Sequence, residues 1–397
     1  MLVLGSRTPT PVRSGFQLRL WQELVGLADL GADVHLLAIS APDGFEATRD
    51  GLPATVHLPH DEDAERSQGV TDQDRLRWIS DGTHPFAGVA TPRVVELLGE
   101  LVRTLEPAVI VVSGHEASAL LPHLPAHRAA VVLDLHNVFS DLLLDLGGLH
   151  TGRAAQLLHR RAAAAADRLD AGLLAHADLV WVCSERDREG IEGIAAGAGL
   201  AVPVVAIANT VDVAAYPDPS PTTPPRAVFT AAFTYPPNVH AAARLVRLLD
   251  DLPDLHVDLV GAEVSDAVAA MAAHPRVRVT GRVPEVQPYL AAASVAPMPL
   301  DGGGGTRLKV AEAAAARVPI VATAKAVEGI DLVPDVHYLR IDTDDELRDA
   351  VRAVLDDPAL AHRLTTAAHA FATDHLSWTA AARVMATSLA GVGFGPA

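Results

Sequence analysis

The sequence predicts an α/β protein of two doubly wound, Rossmann-like domains, and three observations carry that prediction. Short apolar runs alternate with longer segments of helical period, the pattern of a parallel sheet with crossover helices. The runs are continuous rather than alternating, as strands covered on both faces require. The pattern breaks off in a Pro-rich stretch near residue 220 and then restarts, in a 397-residue chain with room for about two domains.

In chain order, the first half predicts strands at 1–4, 34–39, 108–112, 130–135, 179–183 and 204–208, with helices that include 16–30, 91–105 and 153–176. The polar, weakly periodic segment 60–86 reads as a mobile insertion. Five prolines in 214–226 remove backbone donors and hold the chain extended, so this stretch reads as a semi-rigid linker after a first domain of residues 1–213. Strands at 227–230, 256–260, 276–280, 293–297, 320–322 and 337–341 follow, with helices at 239–252 and 308–317, and a second domain is read over 227–375.

Composition narrows the function. With 31 basic against 49 acidic side chains and a net charge of -18, the chain repels phosphate backbones and anionic lipid head groups, which argues against nucleic acid as a partner. The single Cys183 excludes an intrachain disulfide and a thiolate zinc cluster, and suits a reducing compartment. No run reaches the roughly 18 apolar residues of a membrane span. The start MLVLGSRTPTPVRSG carries its arginines after the apolar run, unlike a signal peptide. The expectation is a cytoplasmic protein without stable membrane insertion. Of the basic residues only Lys309 and Lys325 are lysine.

The strongest local signal is GGGGTRLKVAEA, residues 302–313. Glycines after a strand let backbone approach a ligand, and the helix opening near Thr306 offers free N–H groups and its positive dipole end to an anion. Arg307 and Lys309 add charge there, and Glu312, five residues after Arg307, is placed to bind a vicinal diol such as a ribose. On the bare pattern, a flexible turn before an ordinary amphipathic helix stands as an equal alternative.

His136 ends the strand VVLDLH at the edge where α/β proteins bind ligands. Arg13, Ser14 and Gly15 form the first strand-to-helix turn, whose backbone either closes on a ligand or serves as a plain N-cap. Gly114, His115 and Glu116 end another strand of the same sheet. Asn209 and Asp212 read as hinge caps, and Glu328 as a pocket or an ordinary loop residue. The acidic run 342–345 directly precedes a helical pattern and reads as its N-terminus rather than a metal-binding DxD. No HExxH or other metal-spaced pair occurs, and GSRTPT after the first strand is not the dinucleotide fingerprint GxGxxG.

The segment GGGGTRLKVAEAAAARVPIVATAKAVEG resembles the carboxy-terminal signature of the retaining, GT-B-fold glycosyltransferases of family four (glycosyl transferases group 1). TPTPVRSGFQLRLWQELVGLADLGADVHLLA, VLDLHNVFSD, ADLVWVCSERDREG, ANTVD and AVFTAAFTYPPNVHAA resemble further family segments in the same order, over nearly the whole chain. LSW at Trp378 resembles the point where a last helix, here 376–397, crosses back to the first domain.

The resemblance implies two Rossmann-like domains facing a cleft, a nucleotide diphosphate sugar as donor, an acceptor, and neither cofactor nor metal; the acidic first domain points to a soluble small-molecule acceptor. The resemblance places Gly303, Gly304, Gly305, Thr306, Arg307, Lys309, Glu312, Ser14 and Gly15 at the donor and His136 with Arg307 and Lys309 at the reacting centre; Arg13 in the first turn and His115 and Glu116 at their strand end read as acceptor contacts. Two departures stand out: Gly304 occupies the place of a usual Glu, and AAFTYPPN lacks the family's usual Arg and Lys. An epimerase of similar fold and a catalytically silent partner protein remain alternatives at this point.

Overall fold

The computed structural model describes residues 1–10, 14–66, 72–148, 152–302 and 308–394. They form two compact units, Met1–Asn209 with Ala381–Ala397, and Thr210–Ala380.

The first unit runs β1 (Leu2–Arg7), α1 (Gly15–Asp29), β2 (His35–Ser40), β3 (Thr55–His57), α2 (Glu62–Arg66), α3 (Asp72–Asp81), α4 (Pro92–Leu105), β4 (Val109–Ser113), α5 (Gly114–Ser118), β5 (Ala130–Leu135), α6 (Phe139–Gly148), α7 (Arg153–Leu174), β6 (Leu179–Val182), α8 (Glu185–Gly197) and β7 (Val204–Ala206). Its strands form one seven-stranded parallel sheet in the order β3-β2-β1-β4-β5-β6-β7. Every residue of β4 is buried, as expected of a strand with helices on both faces. Two apolar layers result, one per face, containing Leu4, Ile110 and Leu133 on one side and Val3, Val111 and Trp181 on the other. Helix starts follow capping chemistry: Ser14, Thr91 and Ser184 each accept a backbone N–H of their own first turn.

In the second unit β8 (Arg226–Thr230), α9 (Pro236–Leu248), β9 (His256–Val260), α10 (Asp266–Met271), β10 (Val277–Val279), α11 (Gln287–Ala291), β11 (Ala296–Met298), α12 (Leu308–Ala315), β12 (Ile320–Ala322), β13 (Leu339–Arg340), α13 (Asp344–Asp356) and α14 (Pro358–His375) follow one another. The parallel triplets β10-β9-β8 and β11-β12-β13 meet through a bridge between Ala227 and Val295. Both units therefore have the strand order that reverses direction beside the first strand, with all carboxyl ends on one edge.

The segment 214–226 is docked on the second unit, with Ser220 N–H bonded to Ala291 O at 2.7 Å and Thr222 N–H to Ala292 O at 3.2 Å. The last helix, α15 (Trp378–Gly391), places Met385 and Leu389 in the first unit's core, where Trp181 Nε1 donates to Ser388 Oγ at 3.0 Å. Gly26 permits that packing: a Cβ there would lie 2.7 Å from Met385 Sδ.

The structure corrects the reading of 60–86 as a mobile insertion. Ala64 is buried, and Trp78 stacks on Phe139 with ring centroids 5.2 Å apart and packs against Ala162, Ala165 and Ala166. One large aromatic supplies enough apolar area to dock an otherwise polar helix. β3 went unread because three residues give no usable period. Among the described residues, no helix is long and apolar enough to cross a membrane.

Candidate functional site

Residues from the ends of β1, β4 and β5 meet at the carboxyl edge of the first sheet. The centre is a buried charge network. Arg19, on α1, donates from Nε to Asp134 Oδ2 at 2.7 Å and from Nη2 to Asp134 Oδ1 at 2.9 Å, and its Nη1 reaches Ile207 O at 2.6 Å. Glu23 lies one turn further along α1 and accepts from Ser113 Oγ at 2.9 Å. His136 Nε2 lies 3.1 Å from Ser113 Oγ, and the ring sits against Phe16 at 5.0 Å between centroids.

Protonation states follow from burial and pairing. Burial alone would raise Asp134, but Arg19 and a hydrogen bond from Glu23 hold it at about 2. Glu23 is pushed well above the carboxylate range by burial and by Asp134. Burial would lower Arg19, yet Asp134, Cys183 and Glu23 hold it above its ordinary value. His136 is lowered to about 4, mainly by burial, with Asp134 opposing and Arg19 and His115 adding to the effect. Burial pushes the Cys183 thiol up to about 12.

Glu23, Asp134 and His136 bring ligand atoms within 4.8 Å of one another, the spacing of a metal site. The donor set does not fit one. Arg19 already engages both Asp134 oxygens and supplies the positive charge.

Ser14 caps α1, with its Oγ accepting Gln17 N–H at 3.3 Å, so the first turn of that helix, carrying Gly15 and Phe16, is fixed beside His136. His115 is turned into the interior, where Nε2 meets Asp170 Oδ1 at 2.8 Å; burial opposes its charge, and Asp170 nonetheless raises its pKa. Glu116 on α5 is partly exposed. Arg13 lies outside the described residues.

The second site forms at the carboxyl edge of the other unit. Gly303, Gly304, Gly305, Thr306 and Arg307 lie outside the described residues, but their flanks are defined. Upstream, Asp301 pairs with Arg244 Nη1 at 2.9 Å and His240 Nδ1 at 3.2 Å, while buried Arg244 also donates to Pro299 O and from Nε to Asp344 Oδ1 at 2.6 Å. Downstream, α12 projects Lys309 and Glu312. Lys309 Nζ donates to Asn238 Oδ1 at 3.0 Å and lies 4.2 Å above the Phe229 ring. Its ammonium thus sits at the first turn of α9, the segment without a base of its own.

Glu312 Oε2 accepts from Thr230 Oγ1 at 3.4 Å. Burial raises this carboxyl, with Lys309 and Thr230 opposing. Burial also raises Tyr216, with Glu312 and Asp212 adding to it. Gly261, at φ +146°, closes β9 against Ala231: a Cβ there would lie 1.9 Å from Ala231 O.

Other readings resolve locally. Thr343 and Glu346 form a capping box at the start of α13, the helix N-terminus expected there. Asp212 accepts from Ala214 N–H at 3.1 Å. Glu328 is held by Lys325 at 2.6 Å.

Residues 224–357 match the family model described as glycosyl transferases group 1. The matched stretch lies within the second unit, and the whole chain has the GT-B fold of its structural neighbours. Sucrose-phosphate synthase from Thermosynechococcus elongatus is similar at a TM-score of 0.72 and 17% identity, over 99% of this chain and 98% of that one. Anabaena HepE, solved with UDP and glucose, is similar at 0.67 and 14%, over 98% and 99%. The pneumococcal O-GlcNAc transferase GtfA, solved with UDP and GlcNAc, is similar at 0.66 and 10%, over 99% of each chain. No curated protein sequence matches the chain.

Sequence reasoning assigned no role to Arg19, Glu23, Ser113, Asp134, Arg244 or Asp301. Arg19 and Glu23 one turn apart in an apolar helix, with Asp134 inside a strand, were the available signal. Arg244 and Asp301 meet only through the fold.

Proposed function

We propose that the protein is a retaining glycosyltransferase that moves a sugar from a nucleotide diphosphate sugar to a small-molecule acceptor in the cytoplasm, without a metal. The observation that carries this is the cluster of Thr230, Lys309 and Glu312 at the second sheet's carboxyl edge, flanking the glycine-rich segment. The family match over the same segment supports it, as do the UDP complexes of HepE and GtfA.

The bond between the anomeric carbon and the leaving phosphate oxygen breaks, giving an oxocarbenium-like centre. The acceptor oxygen bonds to that carbon on the same face, and its proton passes to the leaving phosphate. No side-chain nucleophile is needed. Lys309, Arg307 and the amides of 303–306 stabilise the charge gathering on the diphosphate, as oriented donors do in oxyanion sites. Glu312 holds the ribose, His136 meets the transferred sugar, and the backbone of Ser14 and Gly15 closes on the donor. Arg13, His115 and Glu116 serve the acceptor; with its imidazole held by Asp170, His115 acts there through its short helix α5.

Thermal-shift titration with UDP, GDP, dTDP and ADP tests the donor site, because a nucleotide bound only by the folded state stabilises it by about 2.7 kcal/mol at a hundred times its Kd. One nucleotide raises Tm in the wild type, and none does so in Lys309→Ala. A wild type indifferent to all four sinks the donor assignment. Transfer persists in EDTA; a strict Mg²⁺ or Mn²⁺ requirement removes the metal-free part.

A further inference from the structure

Ser113 has one hydroxyl proton and two neighbours that compete for it. Its Oγ lies 2.9 Å from Glu23 Oε1 and 3.1 Å from His136 Nε2. Glu23 Oε1 takes that proton, at the shorter of the two distances and as a carboxyl oxygen with lone pairs to accept it. Ser113 therefore donates to Glu23 Oε1, and its lone pairs are left for His136 Nε2–H. Two further carboxyl oxygens face Nε2 and favour a proton there, Glu23 Oε1 at 3.7 Å and Asp134 Oδ2 at 3.9 Å. Glu23 Oε2 is buried without a partner, which a neutral acid tolerates far better than a carboxylate.

From this geometry we infer that Ser113 and Glu23 hold His136 as the Nε2–H tautomer and present Nδ1 as a bare acceptor, which takes a hydrogen bond from a hydroxyl of the transferred sugar. Nδ1 bonds to no described residue, and the ring is backed by Phe16, so the imidazole has one face and one edge left for a ligand. The identity of the hydroxyl-bearing ligand rests on the glycosyltransferase reading; the tautomer does not. Ser113 and Glu23 are positioning residues, acting through His136. Arg19 and Glu23 from α1, Asp134 from β5, and His115 from α5 are the charged or titratable groups around the ring. The tautomer is thus set inside the first unit before any ligand arrives.

Nitrogen-15 NMR of the imidazoles in the ligand-free full chain tests this, with His136→Gln assigning the signals. Nε2 carries the proton and Nδ1 is bare from about pH 8 to about pH 5, the window in which an unperturbed histidine titrates. An Nδ1–H tautomer, or a cationic ring in that window, overturns the inference.

Variants supply the functional readout. In Glu23→Gln the amide carbonyl still accepts from Ser113, so tautomer and kcat stay near wild type. Ser113→Ala and Glu23→Ala mix the tautomers and lower kcat roughly tenfold, the rate equivalent of one lost hydrogen bond. Equal losses in Glu23→Gln and Glu23→Ala overturn the relay. A wild type that binds no nucleotide sugar removes the sugar as ligand, whereas the spectrum of the free protein decides the tautomer independently.

Discussion

The two units share a strand order and place charged groups at the same edge of the sheet, yet they treat charge in opposite ways. In the first unit Arg19, Glu23 and Asp134 are almost wholly buried, and Arg19 and Asp134 form a two-bond pair with each other. In the second, Lys309 rests on a neutral amide and an aromatic face, and Glu312 has a weak 3.4 Å bond to Thr230. A buried two-bond pair fixes geometry, whereas a base and an acid flanking a glycine-rich segment suit a ligand that carries charge of its own. The first arrangement suits orienting a side chain, and the second suits binding an anion. Mutations that separate stability from turnover test this contrast directly.

The largest effect falls in the first unit. Arg19→Ala leaves Asp134 ionised and unpaired in the interior, and should cost about 3–5 kcal/mol in urea unfolding. Replacing both partners, Arg19→Met with Asp134→Leu, should recover much of it. A cost under about 1 kcal/mol for Arg19→Ala would mean that water reaches the network. In the second unit the expectation reverses. Arg307→Ala with Lys309→Ala should leave the unfolding midpoint nearly unchanged and lower kcat by about 10²–10³-fold. Near wild-type transfer in that variant would break the contrast from the other side.

Most strands and several of the longer helices were legible because buried parallel strands are continuous apolar runs, here with little period-two ambiguity. The site was legible only where its chemistry is local in sequence. Residues 302–312 carry the glycines, the bases and the acid on one short stretch, so Lys309 and Glu312 could be named from it. The Arg19–Asp134 pair spans 115 positions and looks like a surface arginine and a strand-end acid until the sheet brings them together. His115 shows the opposite case: its neighbours suggest a strand-end ligand, and only the fold reveals that Asp170 on the distant α7 holds its ring inward. Trp78 hid in a polar segment because one aromatic does not make a period.

Acid sharpens the comparison further. His84 and His136, both in the first unit, are lowered to about 4, principally by burial. A folded-state pKa below the unfolded value of 6.5 contributes stability present above pH 6.5 and lost as pH falls toward 4. For His84 that amounts to roughly 3 kcal/mol, since each pH unit separating the folded and unfolded values is worth about 1.4 kcal/mol. His115, raised by Asp170, works with the opposite sign and contributes below pH 6.5. The measurement is therefore a difference: wild type minus His84→Asn, by urea unfolding at a series of pH values. The wild type should lose ground to the variant between pH 6.5 and 4, and hydrogen exchange should show acid opening in the first unit. A difference independent of pH would place His84 in contact with solvent.

The smallest effect concerns Ser14, where two roles meet at one residue. As N-cap of α1 its hydroxyl oxygen accepts Gln17 N–H, and losing that bond costs about 1 kcal/mol. Its proposed part in donor binding runs through backbone amides, which a side-chain substitution leaves in place. Ser14→Ala should therefore lower Tm by a few degrees with KM for the donor unchanged, and Ser14→Gly should recover most of the stability, since glycine is itself tolerated at that position. A rise in KM without loss of stability would move the hydroxyl from the cap to the ligand. Because α1 also carries Phe16, Arg19 and Glu23, a fraying first turn would show as well in the His136 tautomer, linking the mildest substitution to the network that the harshest one destroys.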